Sequence, residues 1–288
     1  MIHHFLDPGI WAEFEVRTGD IVVASYQKAG TTWLQQIVGQ LLTGGSEDLV
    51  LSEISPWIDA AFVPRADRLA TLNAQAGRRF YKTHLPADMV SVDPLARYLY
   101  IGRDGRDILW SLYNHHSKFL PELMTELDML SSPSSPPVGM PPDSVLEYFD
   151  RWLDEDGLPW WSLWDSVRSW WALRGNENVL HVHFTDLKSD LEGEIERIAA
   201  FLDIPVDPEF RETVIDHCGF RWMKDHADLC VPYGGVAWNG GSETFLNKGT
   251  NGRWRDTLTP DRIARYEKTA RRELGGACAV WLESGSMP

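Results

Sequence analysis

Residues 20–33 read DIVVASYQKAGTTW, a short apolar run that leads into a loop with a single glycine. The run at 20–25 is rich in β-branched residues, which is typical of a strand buried on both faces. After Gly30, apolar side chains recur at three- and four-residue spacing as far as Leu42, and Gly44 follows as a stop signal. The stretch predicts a central strand, a tight loop and an amphipathic helix.

The same order of strand and helix recurs along the chain. A strand-like run at 97–101 precedes apolar residues at helical spacing from 108 to 119. A third run at 178–184 precedes a helical pattern at 191–202. Alternation of this kind predicts an α/β fold, with a mainly parallel sheet flanked by helices and a phosphate-binding loop after a central strand. We expect one domain over residues 1–288.

Composition and charge limit the classes of function. With 43% hydrophobic and 24% charged residues, the 288-residue chain has the composition of a globular protein. Its 27 basic and 42 acidic residues give a net charge of −15, which argues against binding to nucleic acid or to an anionic membrane. An anionic ligand would need a local basic pocket. The chain has three scattered cysteines and no long apolar run, so we expect a cytoplasmic protein without stable membrane insertion.

Two segments in the middle of the chain have unusual composition. Residues 131–144 read SSPSSPPVGMPPDS, which predicts a loop that is either a passive insertion or a mobile lid. Six of the fourteen tryptophans fall between 152 and 171. Their spacing favours one heavily buried amphipathic helix, and the alternative is an aromatic wall for an acceptor molecule.

The loop between the first strand and its helix is a candidate phosphate site. A helix N-terminus offers unpaired N–H groups and the positive end of a dipole. Gly30 permits close backbone approach, Lys28 adds charge, and Thr31 and Thr32 add hydroxyl donors. The nucleoside-triphosphatase motif is not met, because the lysine precedes the only glycine. By spacing alone, an ordinary strand-to-helix turn remains an alternative.

Four segments in the same order resemble the motifs of the cytosolic sulfotransferases. KAGTTW, within residues 26–33, closely resembles the phosphosulfate-binding loop of that family. FYKTHLP at 80–86 is similar to its catalytic strand and loop. YIGRDGRD at 100–107, with Ser111, is similar to its 3′-phosphate segment, and FLNKGTNGRW at 245–254 to its C-terminal donor loop. The motifs extend over most of the chain.

The resemblance implies a reaction. In this family a sulfuryl group passes from 3′-phosphoadenosine 5′-phosphosulfate (PAPS) to a hydroxyl or amine by in-line displacement, and no metal is required. His84 would be the general base, since a neutral imidazole can take the acceptor proton. Lys28 and Lys82 would stabilise the charge that grows on the transferring group and on the leaving oxygen.

The resemblance also implies which residues hold the donor. Arg103, Ser111 and Lys248 would bind the 3′-phosphate, and Trp33 and Phe220 would stack on adenine. The full expected set is Lys28, Ala29, Gly30, Thr31, Thr32, Trp33, Arg103, Ser111, Phe184, Phe220, Asn247, Lys248 and Gly249.

Some positions depart from the family pattern. Asn247 stands where the family has arginine, Arg253 where an acid is usual, and Phe184 at a tyrosine position. The phosphate contact is therefore either looser or shared with Arg253. We interpret Arg106 and Asp107, neighbours on a turn, as a solvated pair.

The acceptor is less well specified. The tryptophan-rich stretch and the 131–144 loop before it lead us to expect a small-molecule acceptor that is large for its class, mainly apolar and bears one hydroxyl group. A highly charged sugar would need basic residues there, and between residues 121 and 159 the only one is Arg151. His115 and His116 follow Ser111, at positions where family members approach the acceptor. Two rival functions are a small-molecule kinase of the P-loop type and a catalytically silent nucleotide-binding protein. The oligomeric state stays open.

Overall fold

A computed structural model describes residues 3–133 and 135–287. It contains a four-stranded parallel sheet of order β2–β1–β3–β4. The strands are β1 Ile21–Ser25, β2 Phe80–Thr83, β3 Arg97–Gly102 and β4 Val179–His183. The predicted α/β fold with a parallel sheet and a central first strand is confirmed.

Helices flank the sheet. In chain order they are α1 Thr31–Thr43, α2 Leu51–Ile54, α3 Arg65–Ala74, α4 Gly105–His116, α5 Pro121–Asp128, α6 Val145–Asp154, α7 Leu163–Trp171, α8 Phe184–Ser189, α9 Leu191–Phe201, α10 Pro208–His217, α11 Phe220–Asp225, α12 Ala227–Cys230, α13 Gly241–Phe245 and α14 Pro260–Ser284. Short 3₁₀ segments lie at Pro8–Ala12, Ala87–Met89, Pro232–Gly235 and Arg253–Asp256. The helices predicted after the first and third sequence runs are confirmed as α1 and α9. Within the described part of the chain, every helix is too short or too polar to cross a bilayer.

The sheet is buried on both faces. Ile21 and Val23 of β1 pack with α1, α9 and α10, while Val22 and Ala24 pack with α4, α6, α7 and α14. All four side chains are fully buried. Because alternate residues of a strand point to opposite faces, burial on both faces accounts for the unbroken apolar run.

The tryptophan-rich stretch forms two helices, so the prediction of a single helix is wrong. Residues 155–162 separate α6 from α7. Gly157 adopts a φ of 94°, and a Cβ there would lie 2.2 Å from the carbonyl oxygen of Trp161. Pro159 in the same turn lacks a backbone N–H. A left-handed glycine followed by a proline is incompatible with a continuous helix.

Residues 131–133 and 135–144 connect α5 to α6 without a helix or strand, and Ser134 lies outside the described residues. The Asp128 carboxylate of α5 accepts hydrogen bonds from the backbone N–H groups of Val138 and Gly139, both at 2.8 Å. His116 of α4 contacts the carbonyl oxygen of Gly139 at 2.7 Å. The middle of the loop is therefore anchored on two helices.

Candidate active site

A cavity of about 560 Å³ opens at the carboxyl ends of the strands. Lys28 lies in the loop after β1, His84 directly after β2, and Arg103 directly after β3, and all three line this cavity. The carboxyl ends of parallel strands meet at one edge of a sheet, which is where open α/β folds bind ligands. The order of the motifs in the sequence therefore brings their side chains together.

The loop after β1 has a backbone shaped for close approach. Lys28 has a φ of 63° and Gly30 a φ of 119°. A Cβ at Gly30 would lie 2.8 Å from the Phe184 ring and 2.9 Å from the Ile101 side chain. Gly30 caps α1 without a side-chain hydrogen bond, so N–H groups of the first turn stay available to an anion.

Three cations of the cavity have no acidic partner. Among the described residues, no carboxylate lies within 4.0 Å of Lys28, Lys82 or Arg103. Burial, together with Arg103 and Lys82, lowers the pKa of Lys28 to about 7. Burial likewise lowers the pKa of Lys82 to about 8 and that of Arg103 to about 10. Lys82 and Arg103 are buried and Lys28 is half-buried, and a poorly solvated positive charge without a partner is unfavourable, so these groups create a site for an anion.

His84 lies beside these cations in a defined tautomer. Its Nδ1 is 2.9 Å from the carbonyl oxygen of Ser25, which can only accept, so Nδ1 carries the proton, and Nε2 has no hydrogen-bond partner among the described residues. Its backbone N–H donates to Asp59 Oδ2 at 3.3 Å. Burial, Lys82 and Lys28 lower the pKa of His84 to about 3. The imidazole is therefore neutral at physiological pH.

Arg103 braces the C-terminal loop of the site. Its Nε and Nη2 donate to Asn251 Oδ1 at 3.1 and 3.0 Å, and Nη2 also donates to the Thr250 carbonyl at 3.1 Å. The guanidinium carbon lies 4.0 Å from the centre of the Phe184 ring. These contacts fix the plane of the guanidinium at the cavity wall.

The same loop is held from a second side. Lys188 of α8 donates to the carbonyl oxygen of Gly249 at 2.7 Å. Gly249 has a φ of 58°, and a Cβ there would lie 2.8 Å from the Phe220 ring. The backbone thus approaches Phe220 as only a glycine allows. Arg253 lines the cavity as well, close to Trp110.

Arg106 and Asp107 are buried, so their prediction as a solvated pair is wrong. Arg106 is 1% exposed and binds Asp104 at 2.8 Å and Glu283 at 2.7 Å. Asp107 accepts a hydrogen bond from the Gly252 N–H at 2.7 Å. The partners at 252 and 283 are far away in sequence, which is why the turn alone did not reveal them.

The part of the cavity around His84 is aromatic. Trp57 and Trp161 pack against the imidazole at ring distances of 4.9 and 6.1 Å. Aromatic side chains of this wall are Phe5, Trp57, Phe62, Phe119, Trp160, Trp161, Trp238 and Phe245. Of the tryptophan-rich stretch, only Trp160 and Trp161 line the cavity. The other four belong to the core, so burial and the aromatic wall each apply to part of that stretch.

Most of the expected site residues meet in this cavity. The members that line it are Lys28, Gly30, Thr31, Thr32, Trp33, Lys82, His84, Arg103, Ser111, Phe184, Phe220, Asn247, Lys248 and Gly249. Ala29 does not, because its side chain is 1% exposed within the core and its N–H donates to the Tyr26 carbonyl. None of the described residues of 131–144 lines the cavity either.

Some residues of the site were not identified from the sequence. Lys188, Asn251 and Phe245 contact the donor-side groups, although the last two lie inside a recognised motif. Asp59 holds the backbone of His84, and burial raises the pKa of its carboxyl to about 7. Nothing in the local pattern around Asp59 indicates that contact.

Comparisons with known proteins agree with this geometry. The model of the sulfotransferase domain family matches residues 18–277. Sulfotransferase 1B1 of Mus musculus is 28% identical over 92% of this chain and 85% of its own length. A glycolipid sulfotransferase of Mycobacterium bovis (strain BCG / Pasteur 1173P2) is also 28% identical, over 96% of this chain and 91% of its own.

Solved structures share the fold. Mouse sulfotransferase SULT7A1 complexed with PAP has a TM-score of 0.73 at 20% identity, covering 95% of this chain and 90% of that one. Retinol dehydratase in a complex with retinol and PAP has a TM-score of 0.70 at 22% identity, covering 92% and 84%. Since the family model spans nearly the whole chain, this protein belongs to the sulfotransferase domain family.

Proposed function

We propose that this protein transfers the sulfuryl group of PAPS to a hydroxyl or amine of a mainly apolar small-molecule acceptor. The observation that carries the proposal is the convergence of three unpaired cations and one neutral histidine on a cavity whose remaining wall is aromatic. The cations fit a polyanionic donor, and the aromatic wall fits an apolar acceptor.

The donor set fits a nucleotide with two phosphate groups. Lys28, the first turn of α1 and Lys82 would hold the phosphosulfate, whose charge compensates the buried ammonium groups. Arg103, Ser111 and Lys248 would hold the 3′-phosphate, with Arg253 supplying the charge that Asn247 lacks. When bound, the donor supplies an activated sulfuryl group with a nucleotide bisphosphate as leaving group.

His84 would act as the general base. Its free Nε2 takes the proton of the acceptor hydroxyl as that oxygen forms a bond to sulfur and the bond from sulfur to the phosphate oxygen breaks. Two of the causes that lower its pKa are the charges of Lys82 and Lys28. An anionic donor offsets these charges, so the basicity of His84 rises when the donor is in place.

Lys28 and Lys82 would stabilise the charge that develops during transfer. Both lie at the cavity wall, and among the described residues neither has a carboxylate within 4.0 Å, although the charge of Asp59 partly opposes the effect of burial on the pKa of Lys82. Fixed donors in a poorly solvated site stabilise a growing negative charge more than water does. The metal-free chemistry of the family is in keeping with this cationic site.

The aromatic wall supports an apolar acceptor. Trp57 and Trp161 contact His84 directly, so an acceptor hydroxyl near Nε2 would have aromatic surface beside it. Buried apolar area stabilises binding by about 25 cal/mol per Å². The names of related proteins, a glycolipid sulfotransferase and a retinol complex, are in keeping with such acceptors.

Donor binding tests this proposal first. Calorimetry with 3′-phosphoadenosine 5′-phosphate should give tight binding, and ATP with magnesium should bind more weakly. Lys82→Met should weaken the bisphosphate, whereas Lys268→Met, an exposed lysine of α14 outside the cavity, should not. A preference for ATP with magnesium would support the kinase alternative and reject the proposal.

An acceptor screen then tests the transfer itself. With labelled PAPS, phenols, sterols and lipid alcohols should accept the label in preference to polyanionic saccharides. Labelling of the saccharides instead would contradict the apolar acceptor, and nucleotide binding without transfer to any class would indicate a silent binding protein.

A further inference from the structure

Lys28 has a second imidazole beside it. His115, on the third turn of α4, places Nδ1 3.3 Å from Lys28 Nζ. The same Nζ lies 3.8 Å from the centre of the Phe245 ring in α13. The ammonium therefore has a hydrogen-bond acceptor on one side and an aromatic face on the other.

The ring of His115 is held in place by aromatic neighbours. Phe119, Trp238 and Phe245 pack against it at ring distances of 5.4, 4.9 and 5.4 Å. Burial, Lys28 and His116 lower the pKa of His115 well below its ordinary value. The imidazole is neutral, so Nδ1 can accept a hydrogen bond and the ammonium of Lys28 is the donor.

We infer that His115 is a positioning residue that accepts a hydrogen bond from Lys28 and holds its ammonium against Phe245 at the place where the donor's sulfuryl group reacts. The catalytic part of this inference rests on the proposed function, whereas the hydrogen bond between Lys28 and His115 is independent of it. No other described residue makes a hydrogen bond with Lys28 Nζ.

The contact matters because the surroundings of Lys28 oppose its charge. Arg103 and Lys82 face it from the ends of β3 and β2, and both lower its pKa. His84 and His115 face it as neutral imidazoles. A neutral acceptor at hydrogen-bond distance favours the charged form, so His115 keeps Lys28 both protonated and oriented.

Two substitutions separate the hydrogen bond from the packing. His115→Phe keeps a ring among Phe119, Trp238 and Phe245 but removes the acceptor. His115→Asn removes the ring but places Oδ1 the same number of bonds from Cα as Nδ1 was. His115→Asn should keep the ammonium of Lys28 protonated and in position, and His115→Phe should not.

The first measurement needs no ligand. In protein labelled with ¹³Cε-lysine, the Lys28 resonance is assigned by its loss in Lys28→Arg and titrated by NMR. His115→Phe should lower the pKa of Lys28 by about one unit or more, and His115→Asn should restore it. An unchanged pKa in His115→Phe would overturn the inference, whatever the enzyme transfers.

The second measurement uses turnover. The kcat/KM for PAPS in His115→Phe should fall about tenfold at pH 8 and less than about threefold at pH 6, because a lower pKa of Lys28 removes its proton earlier. His115→Asn should stay near the wild type, and the KM for the acceptor should not change. A loss that is equal at both pH values, equal in both variants, or confined to the acceptor KM would reject the positioning role. Absence of transfer by the wild type would reject the proposed function alone.

Discussion

Two arginines three residues apart show two uses of a buried cation. Arg106 lies among Asp104 and Glu283, and although burial opposes its charge, the hydrogen bonds with Asp104 raise its pKa. In the described part of the chain Arg103 has no carboxylate within 4.0 Å, and burial lowers its pKa to about 10. The two side chains are similarly buried, since Arg106 is 1% exposed and Arg103 is 7% exposed. Their pKa values shift in opposite directions because Arg106 has carboxylate partners.

A second pair of neighbouring cations shows the same difference between a cation with a carboxylate partner and one without. Arg79 is paired with Asp20, both 1% exposed, whereas Lys82, three residues along the chain in β2, lines the cavity without an ion pair among the described residues. Arg79 and Arg106, which have carboxylate partners, join elements of the fold. Lys82 and Arg103 instead line the cavity, where an anionic ligand would bind. Removal of one member of a buried pair leaves an uncompensated charge and destabilises the fold, whereas a buried cation without a carboxylate partner in a cavity is a candidate for ligand binding.

Breaking a paired cation should give the largest effect. Arg79→Met leaves Asp20 buried without its bidentate partner, and loss of one member of such a pair costs about 3–5 kcal/mol. We expect the free energy of unfolding, measured by urea denaturation, to fall by that amount. Folded molecules of this variant should still bind 3′-phosphoadenosine 5′-phosphate, because Arg79 lies outside the cavity.

Lys82→Met is the matched control for Arg79→Met. It replaces a cation three residues further along the chain that, among the described residues, has no carboxylate within 4.0 Å to leave behind. Its unfolding free energy should be unchanged or slightly higher, while nucleotide affinity is lost. If Lys82→Met destabilised the protein as much as Arg79→Met, the division between paired and unpaired cations would be wrong.

Removal of His84, the neutral imidazole beside the unpaired cations, should give the next largest effect. His84→Ala should lower turnover by about 10²-fold or more and leave donor affinity almost unchanged, because a general base acts on the acceptor proton. His84→Asn keeps a donor toward the Ser25 carbonyl but has no base at the position of Nε2, so it should be equally inactive.

The predicted effects of His84→Ala and His84→Asn are checked by measuring steady-state turnover together with calorimetric binding of 3′-phosphoadenosine 5′-phosphate. Retained turnover in His84→Asn would remove His84 from the role of base. A large loss of nucleotide affinity would instead make His84 a ligand of the donor.

The sequence could predict the unpaired cations better than the paired ones. Lys28 lies in the loop after β1 and Arg103 directly follows β3, as the neutral His84 directly follows β2, and strand ends meet at one edge, so short local motifs were sufficient. The burial of Arg106 does not follow from its local sequence, because its partner Glu283 lies 177 residues away. Such contacts depend on how α14 packs, which local periodicity does not contain.

The aromatic half of the cavity shows the same limit. Trp160 and Trp170 belong to one composition-biased stretch, yet one lines the cavity and the other is packed in the core. Helical spacing could not separate them, because Gly157 and Pro159 divide the stretch into two helices. Gly157 and Pro159 are a sequence signal for the break between α6 and α7. The direction of α7 cannot be predicted from the local sequence, since it depends on packing against the sheet and α14.

Arg103→Ala should give the smallest effect, and it tests what an unpaired arginine is for. Loss of a charge-assisted contact costs about 1.5–3 kcal/mol. Preference for 3′-phosphoadenosine 5′-phosphosulfate over adenosine 5′-phosphosulfate should therefore narrow by about tenfold or more, measured as a ratio of dissociation constants. Arg103 also braces Asn251, so the loss could come from the loop. Asn251→Ala removes that brace and keeps the guanidinium, and it should leave the preference intact. Equal weakening of both nucleotides by Arg103→Ala, or a narrowed preference in Asn251→Ala, would show that Arg103 serves the loop and not the 3′-phosphate.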